Sequence, residues 1–220
     1  MFGAMTPLWP KAAQVFHERA EEYDGWFDES LLFDIELAAL HDLQTMLHGP
    51  RLEVGVGPGR FAKELDVCIG IDPAMGALAL AAQRLTGVCR GVGESLPVQS
   101  GAVATVFLLF TLCFTENPAL VIREIARALK PQGHLVLGVV PRESPWGKYL
   151  RMKKKDGHPF YQHSHFYDIE QIAVWLKETG LVIVEERSSL LQRPGDVTTM
   201  EPSRRGRNED AGFMILVAQK

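Results

Sequence analysis

The fold of this chain is decided by residues 52–61, which read Leu-Glu-Val-Gly-Val-Gly-Pro-Gly-Arg-Phe. An apolar, β-prone run ends in three glycines at alternate positions. A segment with helical spacing follows, in which Phe61 and Leu65 are four residues apart. This order predicts a strand, a tight turn and the start of a helix. Glycines in such a turn let a ligand approach the backbone, and the exposed helix N-terminus can hold a negatively charged group.

A second strand is predicted from residues 67–71, Val-Cys-Ile-Gly-Ile, and it ends at Asp72. An acid at the tip of this strand can accept hydrogen bonds from both hydroxyls of a ribose. The glycine turn and Asp72 together therefore indicate a nucleoside-bearing ligand. The dinucleotide fingerprint G-x-G-x-x-G is not matched, because Arg60 stands where its third glycine would be.

Length and charge narrow the class of protein. The chain has 220 residues and a net charge of −4, which predicts one domain and gives no electrostatic case for a nucleic-acid partner. Cys68, Cys89 and Cys113 lie in apolar runs, which predicts buried thiols in a reducing compartment. Residues 1–10 lack the features of a signal peptide, and no apolar run is long enough to span a bilayer. We expect a cytoplasmic protein, monomeric or homodimeric, without a membrane partner.

The motif Glu53-x-Gly55-x-Gly57-x-Gly59 resembles the (E/D)-x-G-x-G-x-G motif of the class I S-adenosylmethionine (SAM)-dependent methyltransferases. The resemblance covers about residues 23–220 and points to the type 11 group, which includes the ubiquinone and menaquinone C-methyltransferases. It implies an α/β fold, a Rossmann-like three-layer sandwich with helices on both faces. The implied sheet is seven-stranded and mostly parallel, in the order 3-2-1-4-5-7-6, with strand 7 antiparallel. SAM is the implied cofactor, and S-adenosylhomocysteine its product.

The remaining patterns fit a single domain over residues 1–220. Helical spacing in residues 11–23 and 30–47 predicts an N-terminal helical cap within residues 1–48. The following β-α-β-α-β order implies a parallel sheet with right-handed crossovers. Residues 141–167 form a long connection that we expect to be irregular, and its aromatic residues predict a lid insertion on the acceptor side. Residues 192–210 are polar and predict a mobile loop.

Three segments depart from the family's sequence. In the loop Gly91-Val-Gly-Glu-Ser-Leu-Pro97, Val92 replaces an aspartate that often binds the adenine amino group. Adenine recognition would then fall on the backbone of Gly93 and Glu94, or on the Glu94 side chain. The usual F-D pair is Val103-Ala104, and Gln132 replaces one glycine of the L-K-P-G-G turn.

Site residues follow from the resemblance and from the positions of the strand ends. Residues 23–27 resemble the segment that covers the active site in the type 11 group, with a plain packing role as the equal alternative. His163, His165 and Tyr161 are the candidate catalytic residues, and the histidine spacing matches no metal motif, so we predict no metal. Trp26, Phe114, Trp146 and Tyr149 are the candidate acceptor-binding residues. The candidate cofactor-binding residues are Tyr23, Glu53, Gly55, Val56, Gly57, Gly59, Asp72, Pro73, Met75, Gly93, Glu94, Ser95, Phe110 and Thr111.

The sequence thus predicts a SAM-dependent methyltransferase (EC 2.1.1.-) that transfers a methyl group to a small-molecule acceptor by in-line displacement. A neutral amine or a thiolate acceptor needs no base, whereas a hydroxyl or a carbon acid does. Two alternatives stay open. A non-catalytic SAM-binding module is compatible with the departures at Val92 and at Val103-Ala104. A nicotinamide-dependent oxidoreductase would also use the glycine turn and Asp72, but the missing third glycine and the 91–97 loop count against it.

Overall fold

The computed structural model describes residues 9–220. The first eight residues of the predicted cap, and most of the stretch that predicts the absence of a signal peptide, lie outside the described residues. Short 3₁₀ turns occupy Gly25–Phe27, Gln44–Met46 and Leu112–Phe114. The helices are α1 (Trp9–Glu18), α2 (Ala20–Asp24), α3 (Leu31–His41), α4 (Arg60–Glu64), α5 (Met75–Ala81), α6 (Pro118–Ala128), α7 (Pro145–Lys155) and α8 (Ile169–Glu178). The strands are β1 (Arg51–Val54), β2 (Ile69–Asp72), β3 (Gly87–Arg90), β4 (Val103–Leu109), β5 (Leu129–Val139), β6 (Val182–Ser189), β7 (Arg204–Arg205) and β8 (Phe213–Gln219).

All of these strands form one mixed sheet in the order β3-β2-β1-β4-β5-β8-β6-β7. Neighbours from β3 to β5 pair in parallel, and β8 is antiparallel to both β5 and β6. The predicted strand order is confirmed, with β8 in the place of the predicted strand 7. The sheet has one strand more than the predicted seven, because two arginines of the polar stretch 192–210 form β7 and pair with the end of β6.

Helices cover both faces of the sheet, and β4 shows why. Val106 and Leu108 belong to the core that β4 shares with α6 and α8, whereas Phe107 and Leu109 belong to the core shared with α3, α4 and α5. Successive side chains of a strand point to opposite faces, so a strand covered on both sides is apolar without interruption. The predicted three-layer sandwich is confirmed, and the carboxyl ends of β1, β2 and β4 meet at one edge.

Residues 141–167 differ from the predicted irregular connection, because they contain α7. The Ser144 hydroxyl accepts a hydrogen bond from the Gly147 amide at 3.1 Å, and Pro145 follows in the first turn. A serine followed by a proline is a start signal for a helix. The sequence analysis did not use this signal, because the many aromatic residues of the segment favoured an irregular lid. After α7 the chain turns back and brings Phe160 and Tyr161 toward the N-terminal helices.

Helix α1 packs on α5. The Gly76 amide donates a hydrogen bond to Nδ1 of His17 at 2.8 Å, and a Cβ at Gly76 would collide with the carbonyl oxygen of His17. Glycine at this position therefore allows the close approach of the two helices. As a result α1 lies beside the carboxyl edge of the sheet, where Ala12 and Phe16 contact the space above the strand ends.

The three cysteines are free, and their burial differs from the prediction. Cys68 is exposed, because it precedes β2 at the opposite, amino-terminal edge of the sheet, and Cys89 and Cys113 are half-buried. Among residues 9–220, no helix is long and apolar enough to cross a membrane.

Candidate active site

The glycine turn joins β1 to α4 at the carboxyl edge of the sheet. Gly55, Gly57 and Gly59 have φ angles of +73°, +50° and +81°, which side chains disfavour. At Gly55 a side chain is excluded for a second reason, because a Cβ would collide with the side chain of Thr111. The Thr111 hydroxyl lies 2.9 Å from the Leu109 carbonyl oxygen and 3.2 Å from the Gly55 carbonyl oxygen, and its single proton can be donated to either. The turn is therefore fixed against the end of β4 and presents bare backbone to the space above the strands.

Asp72 at the end of β2 organises the same turn. One carboxylate oxygen accepts a hydrogen bond from the Gly57 amide at 2.9 Å, and the other accepts one from the Ala74 amide at 2.8 Å. The side chain is buried. Burial raises the pKa of Asp72 to about 6, although the two backbone hydrogen bonds act to lower it. Asp72 is therefore a buried carboxylate that loses its charge in mildly acidic solution.

Glu53 on β1 is a second buried acid close to Asp72. Its Oε2 atom has no hydrogen-bond partner among the described residues. Burial, and then the negative charge of Asp72, raise the pKa of Glu53 well above its ordinary value. A buried acceptor without a partner is costly, so Glu53 is poised to receive a donor from a ligand.

A cavity of about 110 Å³ lies above these groups. We call it the strand-edge cavity. It is lined by the glycine turn, by Glu53, Asp72 and Pro73, by residues 91–94, by residues 109–111 and by α1.

A second cavity, of about 160 Å³, adjoins the first. We call it the aromatic cavity, because most of its wall consists of rings contributed by residues 16–33, by Phe110 and Phe114, and by residues 146–167. Six aromatic residues line both cavities, so that the two spaces share one wall. They are Phe16, Tyr23, Phe27, Phe61, Phe110 and Phe114.

Among residues 9–220, five groups that can ionise line the aromatic cavity: Glu36 from α3, Tyr23 from α2, Cys113 from the 3₁₀ turn after β4, and Tyr161 and Tyr167 from the segment after α7. Burial raises the pKa of Glu36 to about 8 and that of Cys113 to about 12. Burial likewise raises the pKa of the three tyrosine hydroxyls above their ordinary value. At neutral pH the three phenols and the thiol therefore keep their protons.

Phe110 belongs to the shared wall and has an unusual backbone. Its φ angle is +53°, in the left-handed region that residues with a side chain seldom occupy. The amide of Phe110 donates to the carbonyl of Gly138 at 2.8 Å, and its ring stacks on Phe213 with 4.8 Å between centroids. The ring is thereby held between the two cavities.

Comparison with known proteins identifies the family. A family model described as a methyltransferase domain matches residues 52–137. An uncharacterized protein of Mycobacterium tuberculosis is 36% identical over 203 residues, which cover 90% of this chain and 71% of the relative. An uncharacterized protein of Methanocaldococcus jannaschii is 33% identical over 207 residues, 94% of this chain and 98% of the relative. The crystal structure of a SAM-dependent methyltransferase from Thermotoga maritima superposes with a TM-score of 0.87 at 28% identity, covering 94% of this chain and 99% of the other.

The chain is a class I SAM-dependent methyltransferase of the type 11 group. SAM is accordingly its cofactor. The comparisons confirm the predicted family and cofactor, and the similarity to the quinone C-methyltransferases stays a prediction.

Most of the predicted cofactor-binding residues of this methyltransferase come together. Three of them do not line the strand-edge cavity: Gly59 caps α4, and Met75 and Ser95 are exposed. The residues that line it are Tyr23, Glu53, Gly55, Val56, Gly57, Asp72, Pro73, Gly93, Glu94, Phe110 and Thr111.

One oxygen of the Glu94 carboxylate is engaged within the protein. Its Oε1 atom accepts hydrogen bonds from the amides of Glu116 and Asn117 at 2.8 and 3.2 Å. Both predicted ways to recognise adenine, through the backbone of residues 93–94 or through the Glu94 side chain, stay predictions.

Only some of the predicted acceptor-binding and catalytic residues line a cavity. Trp26, Phe114, Trp146 and Tyr161 line the aromatic cavity. Tyr149, His163 and His165 line neither cavity.

His165 is exposed, and its amide donates to the Cys113 carbonyl at 2.6 Å. His163 is half-buried. Among residues 9–220 there is no group of three potential metal ligands.

Sequence reasoning missed Glu36, Phe160 and Cys113 in the aromatic cavity. A signal for Glu36 was present, because it shares one helical face with Leu32, Ala39 and Leu40. A charged residue within the apolar stripe of a helix indicates either a functional site or a wrongly predicted buried face.

A latch of charged groups ties the N-terminal helices of the methyltransferase to the glycine turn. Arg60 and Arg84 both donate to the carboxylate of Asp24, with four distances of 2.7–2.8 Å. Arg84 also donates to the carbonyl of Pro58 within the turn, at 2.6 Å. Burial of Asp24 raises its pKa, but the hydrogen bonds from both arginines lower it by more, so that the net pKa lies below the ordinary value. Tyr23, which lines both cavities, directly precedes this latch.

We expect Asp24→Ala to loosen the N-terminal helices, since both arginines lose a partly buried partner. The loss of stability should be about 1–3 kcal/mol, and the affinity for S-adenosylhomocysteine should fall about fivefold or more. Thermal denaturation and calorimetry measure the two effects. Asp28→Ala is the matched control, because Asp28 is exposed and, among residues 9–220, pairs with Arg60 alone; it should cost less than about 1 kcal/mol. Equal effects of the two variants would contradict a latch at Asp24.

Proposed function

We propose that this methyltransferase transfers a methyl group from SAM, held in the strand-edge cavity, to a small-molecule acceptor held in the aromatic cavity. The observation that carries the proposal is the shared wall. The same six aromatic side chains border both spaces, so ligands in the two cavities would meet there. Methyl transfer requires this arrangement, because the acceptor atom must lie in line with the bond that breaks.

The residues of the strand-edge cavity fit the cofactor. Asp72 is placed to accept hydrogen bonds from the ribose hydroxyls, and the bare glycine turn admits the ligand against the backbone. The unpartnered oxygen of Glu53 suits the ammonium group of the methionine part. The backbone of residues 93–94 is assigned to the adenine ring. These roles account for each buried polar group that the cavity exposes.

When bound, SAM supplies a methyl group on a positively charged sulfur; the acceptor's lone pair forms the new bond, and the electron pair of the broken carbon–sulfur bond stays on sulfur. The chain's own contribution is position and the exclusion of water. The Tyr23, Phe110 and Phe114 rings flank the point where the cavities meet. Tyr161, whose hydroxyl keeps its proton, is assigned as a hydrogen-bond donor that orients the acceptor.

The lining of the aromatic cavity suits a small acceptor. Its wall consists mostly of aromatic rings, which favours a small molecule that itself carries a ring over a macromolecule. The Thermotoga maritima relative is described as a possible histamine N-methyltransferase, and histamine is a molecule of this kind.

The first experiment tests the cofactor and the transfer. We expect S-adenosylhomocysteine to bind in calorimetry and NAD not to bind. Labelled SAM should then pass its methyl group to members of a panel of single-ring acceptors that includes histamine. Cofactor binding without transfer to any acceptor would favour the non-catalytic SAM-binding module.

Tyr161→Phe tests the acceptor side. Turnover should fall about fivefold to tenfold with the loss of one hydrogen bond, while the affinity for S-adenosylhomocysteine should stay within about twofold. Tyr149→Phe is the matched control, and it should keep wild-type turnover because Tyr149 lies outside both cavities. A larger effect at Tyr149 than at Tyr161 would overturn this assignment.

A further inference from the structure

Glu36 is the least expected residue of the aromatic cavity. It lies on α3 between fully buried Ile35 and Leu40, and only 7% of its surface is exposed. Its side chain faces the cavity and does not line the strand-edge cavity. Within residues 9–220 it makes no hydrogen bond and no salt bridge, and burial is the cause of its raised pKa.

A carboxyl group held away from bulk water without a partner destabilises a fold, whether it is charged or neutral. The described residues give Glu36 neither a cation for its charged form nor an acceptor for its neutral form, since Tyr23, Tyr161 and Cys113 form no hydrogen bond with it. Its carboxyl oxygens are not fully enclosed by protein, so they are open to whatever occupies the cavity. A ligand in the aromatic cavity can therefore complete Glu36.

The rings that line the cavity together with Glu36 narrow the chemistry of that ligand. Trp26 and Phe160 lie 4.8 Å apart between centroids and meet edge to face, and Tyr23 adjoins both. Aromatic faces attract cations, and a carboxylate pairs with one directly. An acid in a cavity lined by aromatic rings is thus complementary to a positively charged nitrogen, whereas a neutral apolar molecule would leave the acid unsatisfied.

We propose that Glu36 is the specificity-determining residue of the aromatic cavity and that it selects an acceptor with a basic nitrogen, such as an alkylamine or an imidazole, attached to a single ring. The inference rests on the proposed function, because it takes the aromatic cavity as the acceptor site. The ammonium group of the cofactor is not the partner of Glu36, since Glu53 serves the strand-edge cavity and Glu36 lies outside it.

The ionisation of Glu36 gives the proposal a second observable. The other ionisable groups that line its cavity among residues 9–220 are Tyr23 from α2, Tyr161 and Tyr167 from the segment after α7, and Cys113 from the 3₁₀ turn. All four keep their protons near neutral pH. Glu36, with a pKa of about 8, is protonated at pH 6.5 in the free protein. A bound cation stabilises the carboxylate, so binding at pH 6.5 should release about one proton.

The experiment uses two probes of nearly equal shape, 2-phenylethylamine and 2-phenylethanol, titrated into the protein with saturating S-adenosylhomocysteine. At pH 8 we expect the wild type to bind the amine at least about tenfold more tightly than the alcohol. Glu36→Gln should weaken amine binding about tenfold or more and change alcohol binding less than about twofold. Asp34→Asn removes an exposed carboxylate from the same helix and should match the wild type.

Calorimetry in buffers of different ionisation enthalpy measures the proton. Release of about one proton on amine binding at pH 6.5, absent in Glu36→Gln, supports the proposal. Equal binding of the two probes by the wild type, binding of neither, or full retention of amine binding in Glu36→Gln overturns it.

The proposed methyl transfer and the proposed role of Glu36 can be overturned independently of each other. If Glu36 governs amine binding but no bound amine is methylated, only the proposed methyl transfer is wrong. If neutral acceptors are methylated and Glu36→Gln is fully active, only the role of Glu36 is wrong.

Discussion

Glu36→Gln should make the free protein more stable, by an amount that increases with pH. Relative to the wild type, its free energy of unfolding should rise by roughly 3 kcal/mol between pH 5 and pH 8. The reason is the burial of Glu36, which raises its pKa to about 8 from an ordinary value of 4.5. Glutamine has nearly the same shape and carries no proton that solution pH can remove.

The direction of this pH dependence follows from the number of protons that the folded and the unfolded wild type bind. Between pH 4.5 and pH 8 the folded protein holds a proton on Glu36 that the unfolded chain has lost. Rising pH therefore favours the unfolded chain of the wild type, at about 1.4 kcal/mol per pH unit, until the folded carboxyl group also ionises. The destabilisation is small below pH 4.5 and complete above pH 8, and Glu36→Gln escapes it.

Urea denaturation of both proteins at several pH values measures this difference. Asp34→Asn, which changes an exposed residue of the same helix, should alter the free energy of unfolding by less than about 0.5 kcal/mol throughout. A difference between wild type and Glu36→Gln that stays constant with pH would show that Glu36 is not buried without a partner. A saturating basic ligand in the aromatic cavity should reverse the preference and favour the wild type.

Asp72→Ala should weaken the binding of S-adenosylhomocysteine by about 100-fold or more. Two charge-assisted hydrogen bonds to the ribose would be lost, each worth about 1.5–3 kcal/mol. The amides of Gly57 and Ala74 would also lose their acceptors, so the glycine turn itself should loosen. We therefore expect a loss of stability of about 1–3 kcal/mol in addition to the loss of affinity.

Calorimetry and thermal denaturation separate these effects. Asp72→Asn keeps one acceptor oxygen and should lie between the wild type and Asp72→Ala in both measurements. Because the pKa of Asp72 is about 6, wild-type affinity for S-adenosylhomocysteine should also fall as the pH drops through 6, when the carboxylate is protonated. Unchanged affinity in Asp72→Ala would remove this residue from the cofactor site.

The parts of the fold that sequence reasoning predicted are those with a local signal. The glycine turn and the apolar run of β4 announce strands and a turn by residue type alone, and the order of such elements then limits the topology. Helix α7 was missed although Ser144 and Pro145 mark its start. The two-residue strand β7 has no local signal, since it exists only through pairing with β6.

The residues of the candidate site likewise differ in whether a local sequence signal predicts them. Residues of the strand-edge cavity come from one motif and from strand ends, so their positions follow from the fold. The aromatic cavity is assembled from α2, α3, the end of β4 and the segment after α7, which are far apart in the chain. Glu36 on its own resembles any helical glutamate, and only its position in the wall of the aromatic cavity makes it unusual. His163 and His165 were favoured for their chemistry, but the turn after α7 leaves them outside both cavities.

Phe110 shows how packing can offset a local conformational cost. A left-handed backbone costs a residue with a side chain about 1–2 kcal/mol, a cost that glycine would avoid. Glycine, however, would remove the ring that lines both cavities and its stacking on Phe213. Loss of a packed phenylalanine ring typically costs about 3–5 kcal/mol, which is more than the backbone would gain. Relieving the strained backbone at position 110 would therefore destabilise the fold and enlarge the space where the two cavities adjoin.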